Sequence, residues 1–254
     1  MRDAAMAVDP TLRIVSLYWD NIDPRVVKAQ ADVFAHFGYE IDQREQTGVN
    51  HGDFLDAYMA ELGEDDVALL TDIDCFPLTA EIVARAFARA RAGAIFGCAQ
   101  STNHVDPDRV YVAPMFMAIA RRTWEALGRP SFKPDKQNDV AQRLNDIARA
   151  NGVEIEMLTP FGAIVPKWRL GDIALFGLGT FYRGGVFHLF EARWTPFSFI
   201  LFDVADAVLH DRPIDYSALM KRALATRGDQ KWARRFTRWR KAIWLKRLVK
   251  RIRA

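Results

Sequence analysis

The run Val67-Ala-Leu-Leu70 constrains this chain more than any other segment, because it is apolar at every position and ends in Thr71-Asp72-Ile-Asp74-Cys-Phe-Pro77. A strand with one wet face alternates. One that is apolar throughout is buried on both faces, as a central strand is in a sheet covered by helices. Its surroundings agree. Leu12-Arg-Ile-Val-Ser-Leu-Tyr18 reads as a first strand, and Asp23-Pro24 as the N-cap and first-turn proline of a helix over 24–37 that Gly38 closes. A short strand at 39–43, a polar loop over 44–52 and a helix near 53–62 lead to the strand over 66–71. Beyond it the pattern predicts a helix over 79–91, a strand at 94–97, a polar loop over 100–109 and a long strand over 110–120. Helices near 121–127 and 137–150 and a strand at 153–158 come next. Residues 159–195, rich in glycine and aromatics, read as loops over a site, and helices near 197–209 and 216–226 follow. Such alternation predicts the α/β class: a Rossmann-like, mainly parallel sheet with helices on both faces.

Charge divides the chain in two. Its 254 residues carry a net charge of +3, but residues 230–254 hold 11 Lys and Arg and no acid, which leaves the other 229 with a net charge of −8. We therefore read 1–229 as the folded domain and 230–254 as a basic tail. Cys75 and Cys98 make neither a disulfide framework nor a metal-type pair, and suit a reducing compartment. The first ten residues lack the apolar core of a secretory signal. No run of 18 apolar residues is present, since Asp203 and Asp206 interrupt the nearest candidate.

Asp72 and Asp74 carry the most chemistry. Ligands of open α/β sheets bind at the carboxyl ends of the strands, and two carboxylates two residues apart at a strand's exit can reach one ion. Close carboxylates repel unless a cation lies between them, and hard oxygen donors suit Mg²⁺ or Mn²⁺. The alternative is a structural pair, with Asp72 capping the turn and Asp74 in solvent.

Val67-Ala-Leu-Leu-Thr-Asp-Ile-Asp-Cys-Phe-Pro77 resembles the apolar strand and Asp-X-Asp signature of glycosyltransferases with the GT-A fold, and the element order over about residues 12–190 is similar to theirs. The resemblance implies a GT-A-like domain that binds a nucleotide-diphosphate sugar through Mn²⁺ or Mg²⁺. Asp74 would be the direct metal ligand, and Asp72 would contact the ribose or complete the metal shell. A downstream metal-binding histidine of that family is matched by His188 in Arg183-Gly-Gly-Val-Phe-His188, where the glycines would let backbone approach phosphate; a half-buried histidine in an aromatic cluster is the other reading. The lysine-bearing extension of some retaining members is replaced here by Leu189-Phe-Glu-Ala-Arg193. Asp139, in Lys136-Gln-Asn138-Asp139, resembles the position that supplies the catalytic base of inverting members, with Asp135 and Glu191 as rivals. By position in the family, His51 and Asp53 would contact the nucleotide, against a structural reading of Asp53 as helix cap and His51 as solvated. Asn103, in the polar loop Gln100-Ser-Thr-Asn-His104, would line the sugar or acceptor site.

Other chemistries lack their signatures: there is no Gly-X-Ser-X-Gly elbow, phosphate-binding glycine-lysine loop, His-Glu-X-X-His or Cys-X-X-Cys. In the tail, Trp232, Phe236, Trp239 and Ile243 share one helical face among basic residues, the composition of an interfacial helix on anionic lipid. Leu245, Leu248, Val249 and Ile252 fall on nearly the opposite side, so docking of the tail on the acidic body is the competing reading. Nucleic acid is not expected as a partner, because the body is acidic and shows no nucleic-acid motif. The expectation is a metal-dependent glycosyltransferase, cytoplasmic and peripheral on the inner face of the cell membrane, acting on a lipid-linked or polysaccharide acceptor. Two alternatives are a non-catalytic membrane-peripheral binding protein and a nucleotidyltransferase. The latter normally carries a glycine-rich basic signature after its first strand, and Ser16-Leu-Tyr-Trp-Asp-Asn-Ile-Asp23 has neither glycine nor base.

Overall fold

The structure is a computed structural model, which describes residues 9–102 and 106–227. The expected tail over 230–254 and Asn103 lie outside the described residues. Residues up to Ile214 form one compact unit and those from Asp215 a second.

The first unit is built on a six-stranded sheet in the order β2-β1-β3-β6-β5-β7. Its strands are β1 (Leu12–Tyr18), β2 (Asp42–Glu45), β3 (Val67–Thr71), β5 (Ile95–Thr102), β6 (Asp106–Ala120) and β7 (Ile155–Leu158). Five share one direction, and β6 runs against both of its neighbours, β3 and β5. The fully apolar run is β3, at the centre between β1 and β6 and buried at every residue, as its composition requires. Helices lie on both faces. Val15, Ala68 and Leu70 pack with Phe54, Leu55, Tyr58 and Met59 of α2 (His51–Glu61), Trp124 of α4 (Arg121–Ala126) and Leu144 and Ala148 of α5 (Gln142–Ala150). Ser16, pointing the other way from Val15, hydrogen-bonds Gln30 of α1 (Pro24–His36).

Four departures from the sequence reading have physical causes. Residues 159–195 are not loops: β8 (Pro160–Leu170), β9 (Ala174–Tyr182) and β10 (Val186–His188) join β4 (Cys75–Pro77) in a second, antiparallel sheet of order β4-β10-β9-β8. Prolines and glycines hid these strands, yet here they serve close approach. A Cβ on Gly177 would lie 2.3 Å from the Val165 carbonyl oxygen. Gly184 and Gly185, expected to let backbone approach phosphate, turn the chain between β9 and β10 with φ of +92° and +95°, against Ile82 and Thr79. The second strand begins at Asp42, three residues later than expected, because as a polar edge strand it carries no apolar signal. The helix expected over 137–150 starts only at Gln142. The Asp135 side chain accepts from the Gln137 and Asn138 amides in a turn, and Ala141 adopts a left-handed conformation, φ 65°, before the helix begins.

The remaining helices are α3 (Ala80–Arg91) and α6 (Ser198–Leu209) in the first unit and α7 (Tyr216–Arg227) in the second. From β1 the chain passes to β2 on one side and then, through α2, to β3 on the other. The loops leaving β1 and β3 therefore diverge and open a crevice at the carboxyl ends of these strands. Backbone contact inside the sheet is close at Gly97, where a Cβ would meet the Phe116 carbonyl oxygen at 2.0 Å. Gly97→Ala should lower stability by about 1–3 kcal/mol, read as an earlier urea midpoint with unchanged slope.

Candidate metal centre and its cleft

The crevice is a cleft of about 360 Å³ lined by Leu17, Trp19, Ile22, Val49, His51, Asp72, Ile73, Asp74, His188, Phe190, Glu191, Ala192 and Arg193. Its floor is the turn that follows β3. The Asp72 amide donates to the Met115 carbonyl at 3.1 Å and the Cys75 amide to the Asp72 carbonyl at 3.0 Å, which closes the turn. From beneath, the buried Gln30 amide nitrogen donates to the carbonyls of Asp72 at 2.7 Å and Cys75 at 2.8 Å, while its oxygen accepts from Ser16 Oγ and Gln43 Nε2. One side chain thus ties the turn to β1 and β2.

His188 arrives from more than a hundred residues away. β10 pairs antiparallel with β4, which starts directly after the turn, and puts His188 opposite Cys75. Nε2 of His188 lies 3.0 Å from Asp74 Oδ1 and 3.8 Å from Asp72 Oδ2. The following loop is hung on Asp74 as well: the Leu189 amide donates to its carbonyl at 3.0 Å and the Ala192 amide to its Oδ2 at 3.3 Å. The His188 ring lies 3.8 Å from that of Phe190, its Nδ1 is buried with no partner among the described residues, and its position is set by packing and by Nε2. Asp74 and His188 are buried, whereas the Asp72 side chain remains one-third exposed to the cleft. Loss of hydration pushes the Asp72 carboxyl above the usual carboxylate range; His51 and His188 oppose the shift and Asp74 adds to it.

Two carboxylates and an imidazole, all with donor atoms within 4.8 Å of one another, make a chemically sound set for a divalent cation. Asp72, Asp74 and His188 are therefore brought together as the sequence led one to look for. His51, the first residue of α2, also faces the cleft, its Nε2 3.7 Å from Asp72 Oδ1. Asn50 caps that helix in place of Asp53, accepting from the Gly52 amide; Asp53 pairs with Lys133 and does not line the cleft. Asp139 does not line it either. Its carboxylate hydrogen-bonds Tyr111, whose phenol burial pushes well above its ordinary range, with Asp139 and then Asp72 adding to the shift. The rivals divide: Asp135 is held well below the usual carboxylate range by the Asn138 side chain and the Gln137 amide, whereas Glu191 lines the cleft in an ion pair with Lys167.

Three residues were not singled out from the sequence. Arg193, whose guanidinium lies 4.7 Å over the Trp19 ring, is the one Lys or Arg among the described residues lining the cleft. Trp19 is held by its indole N–H to the Val49 carbonyl. Gln30 left a signal that was readable, a polar residue on the apolar stripe Val26, Val33 and Phe34 of α1.

No protein-family model matches the sequence, and no curated protein does. Among solved structures, a putative glucose-1-phosphate thymidylyltransferase from Bacillus anthracis in complex with sucrose is 10% identical, over 58% of this chain and 86% of that one, with a TM-score of 0.36. A likeness of that size assigns no activity, and the functional reading stands on the cleft.

Replacing Gln30 by Ala removes the 2.7 and 2.8 Å donors to the Asp72 and Cys75 carbonyls, leaving them the Cys75 amide and the longer Thr71 Oγ1 contacts, and takes the acceptor from the buried Ser16 hydroxyl. It should cost about 2–3 kcal/mol in a denaturant titration, and a smaller loss would mean that water takes its place.

Proposed function

We propose that this chain is a metal-dependent glycosyltransferase that moves a sugar from a nucleotide-diphosphate donor to an acceptor at a membrane surface. The observation that carries the reading is the Asp72–Asp74–His188 group, set at the carboxyl end of the central strand in a cleft of ligand size. Asp74, Asp72 and His188 would hold the ion, and a mixed oxygen and imidazole set suits Mn²⁺ better than Mg²⁺. When bound, the ion supplies positive charge to the departing diphosphate.

The chain's own residues do the rest. Arg193 faces the same space and adds a fixed charge for the diphosphate. Trp19 and His51 wall the cleft beside the exits of β1 and β3, where the nucleoside would lie. Of the carboxylates considered as base for the acceptor hydroxyl, Glu191 lines the cleft, paired with Lys167, whereas Asp139 lies outside it against Tyr111, so Glu191 is the better placed. The membrane assignment rests on the basic, aromatic sequence of residues 230–254. Among the described residues no helix is long and apolar enough to cross a membrane.

Melting of the full chain with UDP-, GDP- and dTDP-sugars should show stabilisation by one of them that requires Mn²⁺ and vanishes in Asp74→Ala. If no nucleotide stabilises the protein, the donor assignment fails. With that donor, Arg193→Ala should lower the rate of nucleoside diphosphate release by about 10²-fold. Release of pyrophosphate from a nucleoside triphosphate and a sugar phosphate would instead identify a nucleotidyltransferase. Flotation with phosphatidylglycerol vesicles should carry the full chain upward at low salt and lose it at high salt; binding to neutral vesicles alike would refute the electrostatic reading.

A further inference from the structure

The Asp72 carboxylate is bracketed by two imidazoles, one on each oxygen. His188 Nε2 stands 3.8 Å from Oδ2 and His51 Nε2 3.7 Å from Oδ1. Their situations differ. His188 is buried and belongs to the three donors that lie within 4.8 Å of one another; His51 is one-third exposed, on the opposite side of Asp72, and is not among those three. His51 is also held firmly. It opens α2 behind the Asn50 cap, and the next residue, Gly52, sits so close to the chain at Lys133 that a Cβ would lie 2.6 Å from the Lys133 Cα. Four residues further on, Asp56 of the same helix accepts from the Phe132 amide at 2.8 Å and from Ser131 Oγ at 2.6 Å, which fixes the helix to that segment.

Asp72 needs such a partner. Asp74 is constrained on both oxygens, by His188 and by the Ala192 amide, whereas among the described residues no backbone amide holds the carboxylate of Asp72. A carboxylate ligand left free to rotate binds an ion weakly, and a hydrogen-bond donor on its outer oxygen fixes the inner one toward the metal. We infer that His51 is the positioning residue of the metal centre: its Nε2, 3.7 Å from Asp72 Oδ1, closes to a hydrogen bond on that oxygen when the ion is bound, which directs Oδ2 to the ion that Asp74 and His188 share. This rests on the metal reading proposed above, and it gives His51 a role toward the ion in addition to any contact with the nucleotide.

The test is Mn²⁺ binding to the full chain without nucleotide, followed by electron paramagnetic resonance of the free ion. His51→Ala should weaken binding about tenfold, and His51→Gln, which returns an N–H at similar reach, should recover most of the loss. Asp74→Ala should abolish binding. Circular dichroism melts of both His51 variants should match the unaltered chain, since His51 is not part of the core. Unchanged affinity in His51→Ala overturns the inference. So does an equal loss in His51→Ala and His51→Gln, which would make the imidazole a direct ligand. If the unaltered chain binds no Mn²⁺, the metal reading itself fails and takes this role with it.

Discussion

The amide of Gln30 is the contact on which the candidate site depends. Its nitrogen holds two carbonyls of the turn after β3, and its oxygen is held by Ser16 of β1 and Gln43 of β2. A buried amide stays in an apolar interior only if its hydrogen bonds are made, so the helix carrying it, the two strands and the turn have one consistent arrangement. That arrangement aims Asp72 and Asp74 into the crevice between β1 and β3. Carboxylates on a turn without such an anchor would swing apart and relieve their repulsion in solvent.

The second sheet completes the site by strand pairing. β4 starts one residue after Asp74, and its pairing with β10 carries His188 to that carboxylate. Arg193 enters the cleft because the loop beyond His188 hangs on the amide bonds to Asp74. The three candidate metal donors and Arg193 thus derive from one turn, one short strand and the loop that follows it, joined by backbone hydrogen bonds. The thiols of Cys75 and Cys98 lie buried beneath, pushed well above their ordinary range by loss of hydration, and act as core residues.

How much of this could be read in advance followed from where each residue's signal lies. β3 was legible because burial on both faces demands apolar residues at every position, and α1 because Asp23-Pro24 and Gly38 mark its ends. β2, a polar edge strand, has no such demand, and its start was misplaced. The antiparallel sheet was read as loops because its strands contain proline at 160 and 166 and glycine at 162, 177 and 179, which local rules treat as breaks. In the folded chain Gly177 permits β8 and β9 to approach, a requirement of the partner strand that the local sequence does not express. Asp53 was a plausible helix cap by residue type, but Asn50 holds that place, and His51, a candidate for solvent, faces Asp72.

By itself the sequence determined the class of fold, the place of the carboxylate pair at the end of the central strand and the separation of an acidic body from a basic tail. These follow from periodicity, burial and charge, which are properties of neighbouring residues. Only the tertiary structure decided that His188 meets Asp74, that His51 stands on the far oxygen of Asp72, that Arg193 enters the cleft and that Asp139 lies beside Tyr111 outside it. Those contacts join segments between about 20 and more than 100 residues apart. They arise from strand pairing and helix packing, whose geometry depends on the whole sheet and leaves no trace in any local pattern.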